Sequence, residues 1–286
     1  MQLNDYLPEL EDLVERALDE DLTAGDVTSS AVIPVRIKGT GNFMVKDRGI
    51  LAGIDIAGIV FSNIDPFLKF SILMRDGERV KAGDIVAAVD GDVADILKGE
   101  RTALNFLQHL SGIATLTSLY IDAVRGLPVK ILDTRKTLPG LRLLEKYAVS
   151  VGGGTNHRMS LGDMALIKDN HIAILRRRGM SISEIVRQAR NKTPLNIKIE
   201  IETTSPEEAA EAAGAGADIV MLDNMDLDQM RRAVSLIDHR AIVEASGGVS
   251  LDNVRRIAET GVDWISVGAL THSARALDIS MKLSFR

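Results

Sequence analysis

From about residue 128 onward, short runs of β-branched apolar residues alternate with amphipathic stretches. Repeated β-then-α units predict parallel strands joined by right-handed crossovers. We predict strands at 128–134, 165–169, 196–202, 219–224, 241–247 and 264–269, and helices at 139–150, 181–192, 206–214, 226–237 and 250–260. The pattern therefore predicts an open, barrel-like α/β domain of about six or seven strands.

The chain before this series has a different pattern. Residues 7–20 place leucines and a valine at helical spacing, which predicts a helix. Residues 36–62 carry short apolar runs punctuated by glycine, which predict strands and then a helix from about Gly53. Residues 69–90 contain two turn signals between β-type runs and resemble the hairpins of biotinyl- and lipoyl-type domains in shape only. A long amphipathic helix is predicted from residue 99, with a break expected near Ser111-Gly112. A smaller mixed α/β domain is therefore expected to precede the barrel.

Composition narrows the possible functions. Aromatic residues make up only 3% of the 286 residues and the formal net charge is −6, which argues against general nucleic-acid binding. The chain has no cysteine, so disulfides, thiolate zinc sites and cysteine nucleophiles are excluded. It shows neither a signal-peptide pattern nor an apolar run long enough to cross a bilayer. We expect a soluble cytoplasmic protein.

A dense cationic segment spans residues 133–172 of this acidic protein and is interleaved with glycines. In (β/α) barrels the carboxyl ends of the strands carry the active site. Arginine holds carboxylates through two-point contacts, and lysine suits phosphate. Arg142 and Lys146 also fit a solvated helix face. The cations expected to form a pocket for a small, multiply charged anion are Arg135, Lys136, His157, Arg158 and Lys168.

Two carboxylates are predicted at neighbouring strand ends. Glu202 and Asp223 could coordinate a hard cation or accept hydrogen bonds from sugar hydroxyls. Strand alternation places Glu200 on the same face as Glu202, so the choice between these two glutamates stays open. Alternatively, Glu200 and Glu202 have no role in binding and only pair with Lys198 inside a filled barrel.

Glycine-rich segments precede and follow the last predicted strand. The turn Ser246-Gly247-Gly248 stands at a helix start, where backbone N–H groups suit a phosphate. His272 could extend this site, although it also fits a surface loop. Lys168 permits a different interpretation, because a lysine that ends a barrel strand can form a Schiff base in an aldolase. The surrounding acids would keep such a lysine charged.

Several motifs, in order along nearly the whole chain, resemble quinolinate phosphoribosyltransferase, also called nicotinate-nucleotide pyrophosphorylase (carboxylating). They are EDLTAGDVTS (20–29), ERTALNFLQHLSGIAT (100–115), DTRKTLPGLRLLEKYAV (133–149), GGGTNHR (152–158), LIKDNH (166–171), IEIE (199–202), MLDNM (221–225), EASGGV (244–249) and SVGALTHS (266–273). The acidic, threonine- and glycine-rich signature of the larger phosphoribosyltransferase class does not occur, which fits this family.

The resemblance implies an N-terminal mixed α/β sandwich over residues 1–108, rejoined by 274–286, and an open (β/α) barrel over 109–273. It implies that quinolinate and 5-phosphoribosyl 1-diphosphate, with magnesium, give nicotinate mononucleotide, carbon dioxide and diphosphate in NAD synthesis. It also implies a homodimer that shares its active sites.

The resemblance also implies residue roles. The quinolinate carboxylates would be held by Arg135, His157, Arg158 and Lys168. Arg101 would reach the site from the partner subunit, and Lys136 would contact phosphate or carboxylate. Glu202 and Asp223 would bind ribose hydroxyls and, directly or through water, magnesium. The 5′-phosphate would lie against Ser246, Gly247, Gly248 and Gly268, with His272 close by. The expected catalytic residues are Lys168, Glu202 and Asp223.

Three rival functions remain at this stage. The first is a homologue that acts on nicotinate or another ring acid. The second is a Schiff-base aldolase that acts on a sugar phosphate. The third is a non-catalytic sensor of phosphoribosyl compounds, which would not need both the acidic and the basic residue sets.

Overall fold

The computed structural model describes residues 3–33 and 37–285, which form two compact units. The first unit comprises the chain up to Ser118, residues 138–153 and the chain from Ser273 onward. The second unit comprises Leu119–Thr137 and Gly154–His272. The predicted boundary after residue 108 falls inside one continuous helix, Val93–Ala123, and the units divide after Ser118 instead. The C-terminal segment returns to the first unit at Ser273, one residue before the predicted position.

The strands and helices follow one another in this order along the chain. The strands are β1 (Lys38–Val45), β2 (Gly49–Ile50), β3 (Lys69–Ile72), β4 (Arg79–Val80), β5 (Ile85–Asp92), β6 (Lys130–Leu132), β7 (Met164–Ile167), β8 (Lys198–Thr203), β9 (Ile219–Asp223), β10 (Ile242–Ser246), β11 (Trp264–Ser266) and β12 (Ile279–Phe285). The helices are α1 (Leu7–Leu22), α2 (Val27–Val32), α3 (Ile54–Ile64), α4 (Val93–Ala123), α5 (Arg142–Val151), α6 (Asp169–Arg176), α7 (Ile182–Lys192), α8 (Pro206–Gly214), α9 (Leu227–Ile237), α10 (Val254–Ala258) and α11 (Ala269–His272).

The first unit is built on an antiparallel sheet of four strands in the order β12-β1-β5-β3. Along β1, buried residues alternate with partly exposed ones, as expected for a strand with one face on the core. Phe43, Phe61 and Phe70 form an aromatic cluster on that face, with ring centroids 5.7–6.0 Å apart. The C-terminal strand β12 thus belongs to the N-terminal unit.

Two expectations about helices are wrong. Helix α4 continues through Ser111 and Gly112 without a break. The small size of these two residues allows neighbouring segments to pack closely against the helix. A Cβ at Gly112 would lie 2.3 Å from the Arg275 carbonyl oxygen, and the Ser111 hydroxyl accepts the Ala52 N–H at 3.0 Å. Helix α5, expected between barrel strands, belongs to the first unit instead. Its Lys146 is fully buried and does not lie on a solvated face.

The second unit is a six-stranded parallel sheet in the order β6-β11-β10-β9-β8-β7. No ladder joins β6 to β7 in the described chain; a single bridge between Leu132 and Thr155 lies beside β6. The helices that follow β8 and β9 start at side-chain caps, Ser205 and Asp226, so each crossover begins directly after its strand. Helix α6, missed by the sequence analysis, starts directly after Lys168.

Among the described residues, no helix combines the length and the apolar character that a membrane crossing requires.

Candidate active site

A cavity of about 330 Å³ lies at the carboxyl ends of the strands of the second unit. Its lining includes the cations and both of the carboxylates that the sequence predicted for the site. The lining residues are Thr134, Arg135, Lys136, His157, Arg158, Leu166, Lys168, Glu202, Met221, Asp223, Glu244, Ser246 and Ser266. We call this space the barrel cavity.

Strand alternation and register explain why these side chains meet. Parallel pairing aligns Glu202 with Met221, and Asp223 with Ser246. Residues two apart on one strand share a face, so Met221 and Asp223 point into the same space. The short strands thus bring carboxylates from β8 and β9 into the same cavity as the cations that follow β6 and β7.

Lys168 and Glu202 form an ion pair in the barrel cavity, with Lys168 Nζ 3.4 Å from Glu202 Oε1. The other oxygen of Glu202 accepts the backbone N–H of Asp169 at 3.0 Å. The Lys168 N–H in turn donates to His171 Nδ1 at 2.9 Å. This pairing does not suit a Schiff-base nucleophile, which has to lose its proton.

Two arginines add positive charge to the same cavity. The Nε of Arg135 is a buried donor that has no hydrogen-bond partner among the described residues. The Arg158 guanidinium donates to the Met164 carbonyl oxygen at 2.9 Å. Burial, and then the neighbouring charge of Arg135, lower the pKa of Arg158. An anionic ligand would relieve this repulsion and satisfy the free donor.

Beneath these cations lies a buried group that we call the His157 cluster: His157, Glu200 and Glu244. His157 Nε2 is 3.2 Å from Glu200 Oε2 and 3.4 Å from Glu244 Oε2, and both glutamates are fully buried. Glu200 lies in this cluster, whereas Glu202 lines the barrel cavity. The structure thus separates two glutamates that sequence spacing left equivalent.

The electrostatics of the His157 cluster are tightly coupled. Burial lowers the pKa of His157, but the neighbouring carboxylates of Glu200 and Glu244 outweigh it and raise this pKa to about 9. The Arg158 backbone nitrogen lies 2.8 Å from His157 Nδ1 and donates to it when the ring is neutral, with the ring proton on Nε2. Burial raises the pKa of Glu200.

Glu244 and Ser266 are cavity residues that the sequence analysis missed. The Ser266 hydroxyl donates to Glu244 Oε1 at 2.5 Å. A usable signal was present, because Glu244 stands two residues before Ser246 and therefore shares its strand face.

The remaining predicted residues lie around the cavity or apart from it. Gly247 has a φ of +94° and a Cβ there would lie 2.2 Å from Asn224 Oδ1, so only glycine fits. Gly248 also has a positive φ, of +60°. A Cβ at Gly268 would lie 3.1 Å from His272 Nε2 and 3.2 Å from Lys136 Cδ, which places all three side by side.

Arg101 does not line the barrel cavity. It belongs to the first unit, where it is exposed and borders a separate cavity of about 390 Å³ together with Asn105 and His109. The residues that line this second cavity belong to the first unit.

Comparison with known proteins identifies the family. The family model described as the C-terminal domain of quinolinate phosphoribosyl transferase matches residues 113–282, and the N-terminal domain model of the same family matches residues 26–111. The chain belongs to the quinolinate phosphoribosyltransferase family.

Individual relatives agree with this assignment. The nicotinate-nucleotide pyrophosphorylase [carboxylating] of Mycobacterium leprae is 44% identical, over 95% of this chain and 96% of that protein. A mitochondrial quinolinate phosphoribosyltransferase [decarboxylating] of Nicotiana tabacum is 43% identical, over 96% of this chain and 82% of that protein. The crystal structure of NadC from Streptococcus pyogenes is 40% identical with a TM-score of 0.93, and it covers 100% of this chain and 99% of that one.

These matches confirm the predicted family, the α/β fold class and the enzyme class, a decarboxylating quinolinate phosphoribosyltransferase. The roles of individual residues stay predictions.

Proposed function

We propose that the barrel cavity of this chain transfers the phosphoribosyl group of 5-phosphoribosyl 1-diphosphate to quinolinate and releases nicotinate mononucleotide, carbon dioxide and diphosphate. The observation that carries this proposal is that cations and carboxylates line one cavity. Arg135, Arg158 and Lys168 line it together with Glu202 and Asp223, which lie at the carboxyl ends of the neighbouring strands β8 and β9. The cations suit a dicarboxylate, and the carboxylates suit ribose hydroxyls and a developing positive charge.

The cations hold and orient quinolinate. The free Nε of Arg135 and the exposed ammonium of Lys168 offer donors to the two ring carboxylates. Lys136, next to Gly268 and His272, faces the phosphate side. Holding both reactants in a reactive geometry can lower the barrier by several kcal/mol, up to about 7–11 in favourable cases.

In the transfer step, the pyridine nitrogen lone pair forms the bond to ribose C1 while the C1–O bond to diphosphate breaks. Positive charge then develops on the sugar ring, and the carboxylates of Glu202 and Asp223 stabilise it electrostatically. Once the ring nitrogen is quaternary, the bond from ring C2 to its carboxylate breaks and carbon dioxide leaves. The electron pair that remains on C2 is stabilised by the adjacent positive nitrogen and takes up a proton.

Two carboxylates at adjacent strand ends fit magnesium, because Mg²⁺ prefers oxygen ligands and binds through one or two carboxylates together with substrate phosphates. Glu202 and Asp223 would hold it, directly or through water. Bound magnesium would offset the negative charge of the leaving diphosphate. Ser246, Gly247 and Gly248 would hold the 5′-phosphate, since the positive φ values at the two glycines form a turn of backbone N–H groups.

The assay that tests the function supplies quinolinate, 5-phosphoribosyl 1-diphosphate and magnesium. We expect carbon dioxide and nicotinate mononucleotide in equal amounts. Nicotinate in place of quinolinate is the matched control and should give little product, because it lacks the second carboxylate. Nucleotide formation from nicotinate at the same rate would contradict the assignment of quinolinate.

We also propose a cytoplasmic homodimer in which Arg101 enters the partner's barrel cavity. Arg101 is exposed and lies outside the cavity lined by its own second unit, which supports this proposal. Arg101→Ala and Lys168→Ala proteins, each inactive, are mixed after reversible dissociation. If random pairing restores one intact site in half of the dimers, about a quarter of wild-type activity should return. No recovery, with dimers verified by light scattering, would contradict site sharing.

A further inference from the structure

Glu244 is a fully buried carboxylate at the floor of the barrel cavity, and the roles proposed above leave it without a task. It reaches this place from β10, whose residue Ser246 lies nearer the cavity mouth. Glu244 Oε2 has no partner in hydrogen-bonding geometry among the described residues. A buried polar atom in this state costs free energy, and an apolar residue of similar volume would avoid that cost.

The contacts of Glu244 form a continuous series that ends at a cavity arginine. The Ser266 hydroxyl donates to Glu244 Oε1 at 2.5 Å, which leaves Oε2 turned toward His157 Nε2 at 3.4 Å. On the opposite side of the ring, His157 Nδ1 accepts the backbone N–H of Arg158 at 2.8 Å. Each group therefore orients the next. Ser266 and Glu244 are buried, whereas His157 and Arg158 are partly buried.

We propose that Glu244, held by Ser266, is a positioning residue that fixes the ring of His157 and thereby the segment that carries the Arg158 guanidinium into the barrel cavity. The role rests on the proposed function, since it concerns how the cavity recognises the quinolinate carboxylates. It predicts a selective effect. Quinolinate binding depends on the series, whereas binding of the phosphoribosyl donor depends on groups at the cavity mouth.

The test compares Glu244→Gln and Ser266→Ala with the wild-type enzyme. Glu244→Gln keeps the volume but removes one oxygen acceptor, and we expect the KM for quinolinate to rise about tenfold or more. The KM for the donor should stay within about twofold, as expected for a change at one subsite. Ser266→Ala removes only the orienting hydroxyl and should shift the same constant in the same direction by a smaller factor. Glu259→Gln, an exposed carboxylate paired with Arg255 on α10, is the matched control.

A spectroscopic measurement accompanies the kinetics. In wild-type protein above pH 9, where the ring of His157 is neutral, nitrogen-15 spectra should show an unprotonated Nδ1 that accepts a hydrogen bond; the signal is assigned through its absence in His157→Asn. Glu244→Gln should move this signal toward a mixture of ring states. A merely structural carboxylate would lower the melting temperature and leave the ring signal in place.

The outcomes separate this inference from the proposed function. Wild-type enzyme that forms no nicotinate mononucleotide from quinolinate would contradict the function itself. Active wild-type enzyme, together with a KM for quinolinate that moves less than about twofold in both variants, would overturn only the role of Glu244. If Glu244→Gln does not fold, Ser266→Ala alone decides by the same criterion.

Discussion

Each unit contains a buried glutamate that faces a histidine, and the two arrangements differ in how well the carboxylate is satisfied. In the first unit, Glu145 accepts the Leu138 N–H at 3.3 Å and lies 2.9 Å from His109 Nε2. In the second unit, His157 lies between two fully buried glutamates, and three of their four oxygens lack a hydrogen-bond partner among the described residues. A fully hydrogen-bonded pair stabilises a fold, whereas under-satisfied buried charge is typical of a functional site.

The largest expected effect is a loss of activity without a loss of stability, caused by a substitution in the second unit. Lys168→Ala should lower kcat/KM by about a thousandfold or more, equivalent to about 4 kcal/mol, because it removes a charge that holds the substrate. The Lys168 side chain is 49% exposed, so its loss should leave the melting temperature nearly unchanged. Steady-state kinetics and calorimetry check both halves. Turnover near the wild-type rate would remove Lys168 from the proposed site.

In the first unit, a substitution of the buried glutamate should lower the stability of the fold. Glu145→Ala leaves His109 and the Leu138 N–H without their shared acceptor, and we expect unfolding free energy to drop by about 3 kcal/mol. Urea denaturation measures this drop. Glu259→Ala, at an exposed ion pair, should change the same quantity by no more than about 0.5 kcal/mol. Equal effects from the two variants would mean that the buried contact is not structural.

A pH dependence of stability should arise from the His157 cluster. The folded-state pKa of His157, raised to about 9, exceeds its ordinary value of 6.5, so its stabilising contribution is complete below pH 6.5. This contribution is lost as the pH rises through 9 and amounts to at most about 3 kcal/mol. Urea denaturation across this range should show the loss in wild-type protein and a flatter profile in His157→Asn. An unchanged profile in the variant would assign the pH dependence elsewhere.

The smallest expected effect is also the sharpest test of the contrast. Glu200→Gln should change the unfolding free energy by less than about 1 kcal/mol, or raise it, because a neutral group replaces an under-satisfied buried carboxylate. Glu145→Gln, the matched change in the first unit, should destabilise the protein. Equal losses of unfolding free energy in Glu200→Gln and Glu145→Gln would contradict the difference between the two buried glutamates that their hydrogen bonds indicate.

Sequence reasoning reached the strands of the second unit because β-branched runs report local propensity and burial together. It placed Glu202 and Asp223 at strand ends, and both line the barrel cavity. It could not decide between Glu200 and Glu202, because alternation fixes the face of a strand and not the depth along the barrel. Glu200 and Glu202 are only two residues apart, yet Glu202 lines the barrel cavity and Glu200 lies in the buried His157 cluster.

The misplaced helix α5 shows a different limit. Its amphipathic pattern predicts a helix with an apolar face but does not say which core covers that face. In the structure, a Cβ at Gly152 would lie 2.4 Å from the Ala114 carbonyl oxygen, so α5 ends in close contact with α4 of the same unit. Lys146 lies on this packed helix and is fully buried. Its spacing from Glu145 and Arg142 along the helix does not reveal this burial.

The gap between β6 and β7 has a consequence for solubility. An uncovered outer strand offers unpaired N–H and C=O groups to other chains and promotes aggregation. Here Thr155 pairs with β6, and the buried Asp133 accepts the His157 N–H at 2.9 Å, while Arg158 donates to the Met164 carbonyl oxygen on β7. The segment that places cations in the barrel cavity therefore also shields both outer strands, so substitutions there that abolish substrate binding should also favour intermolecular strand pairing.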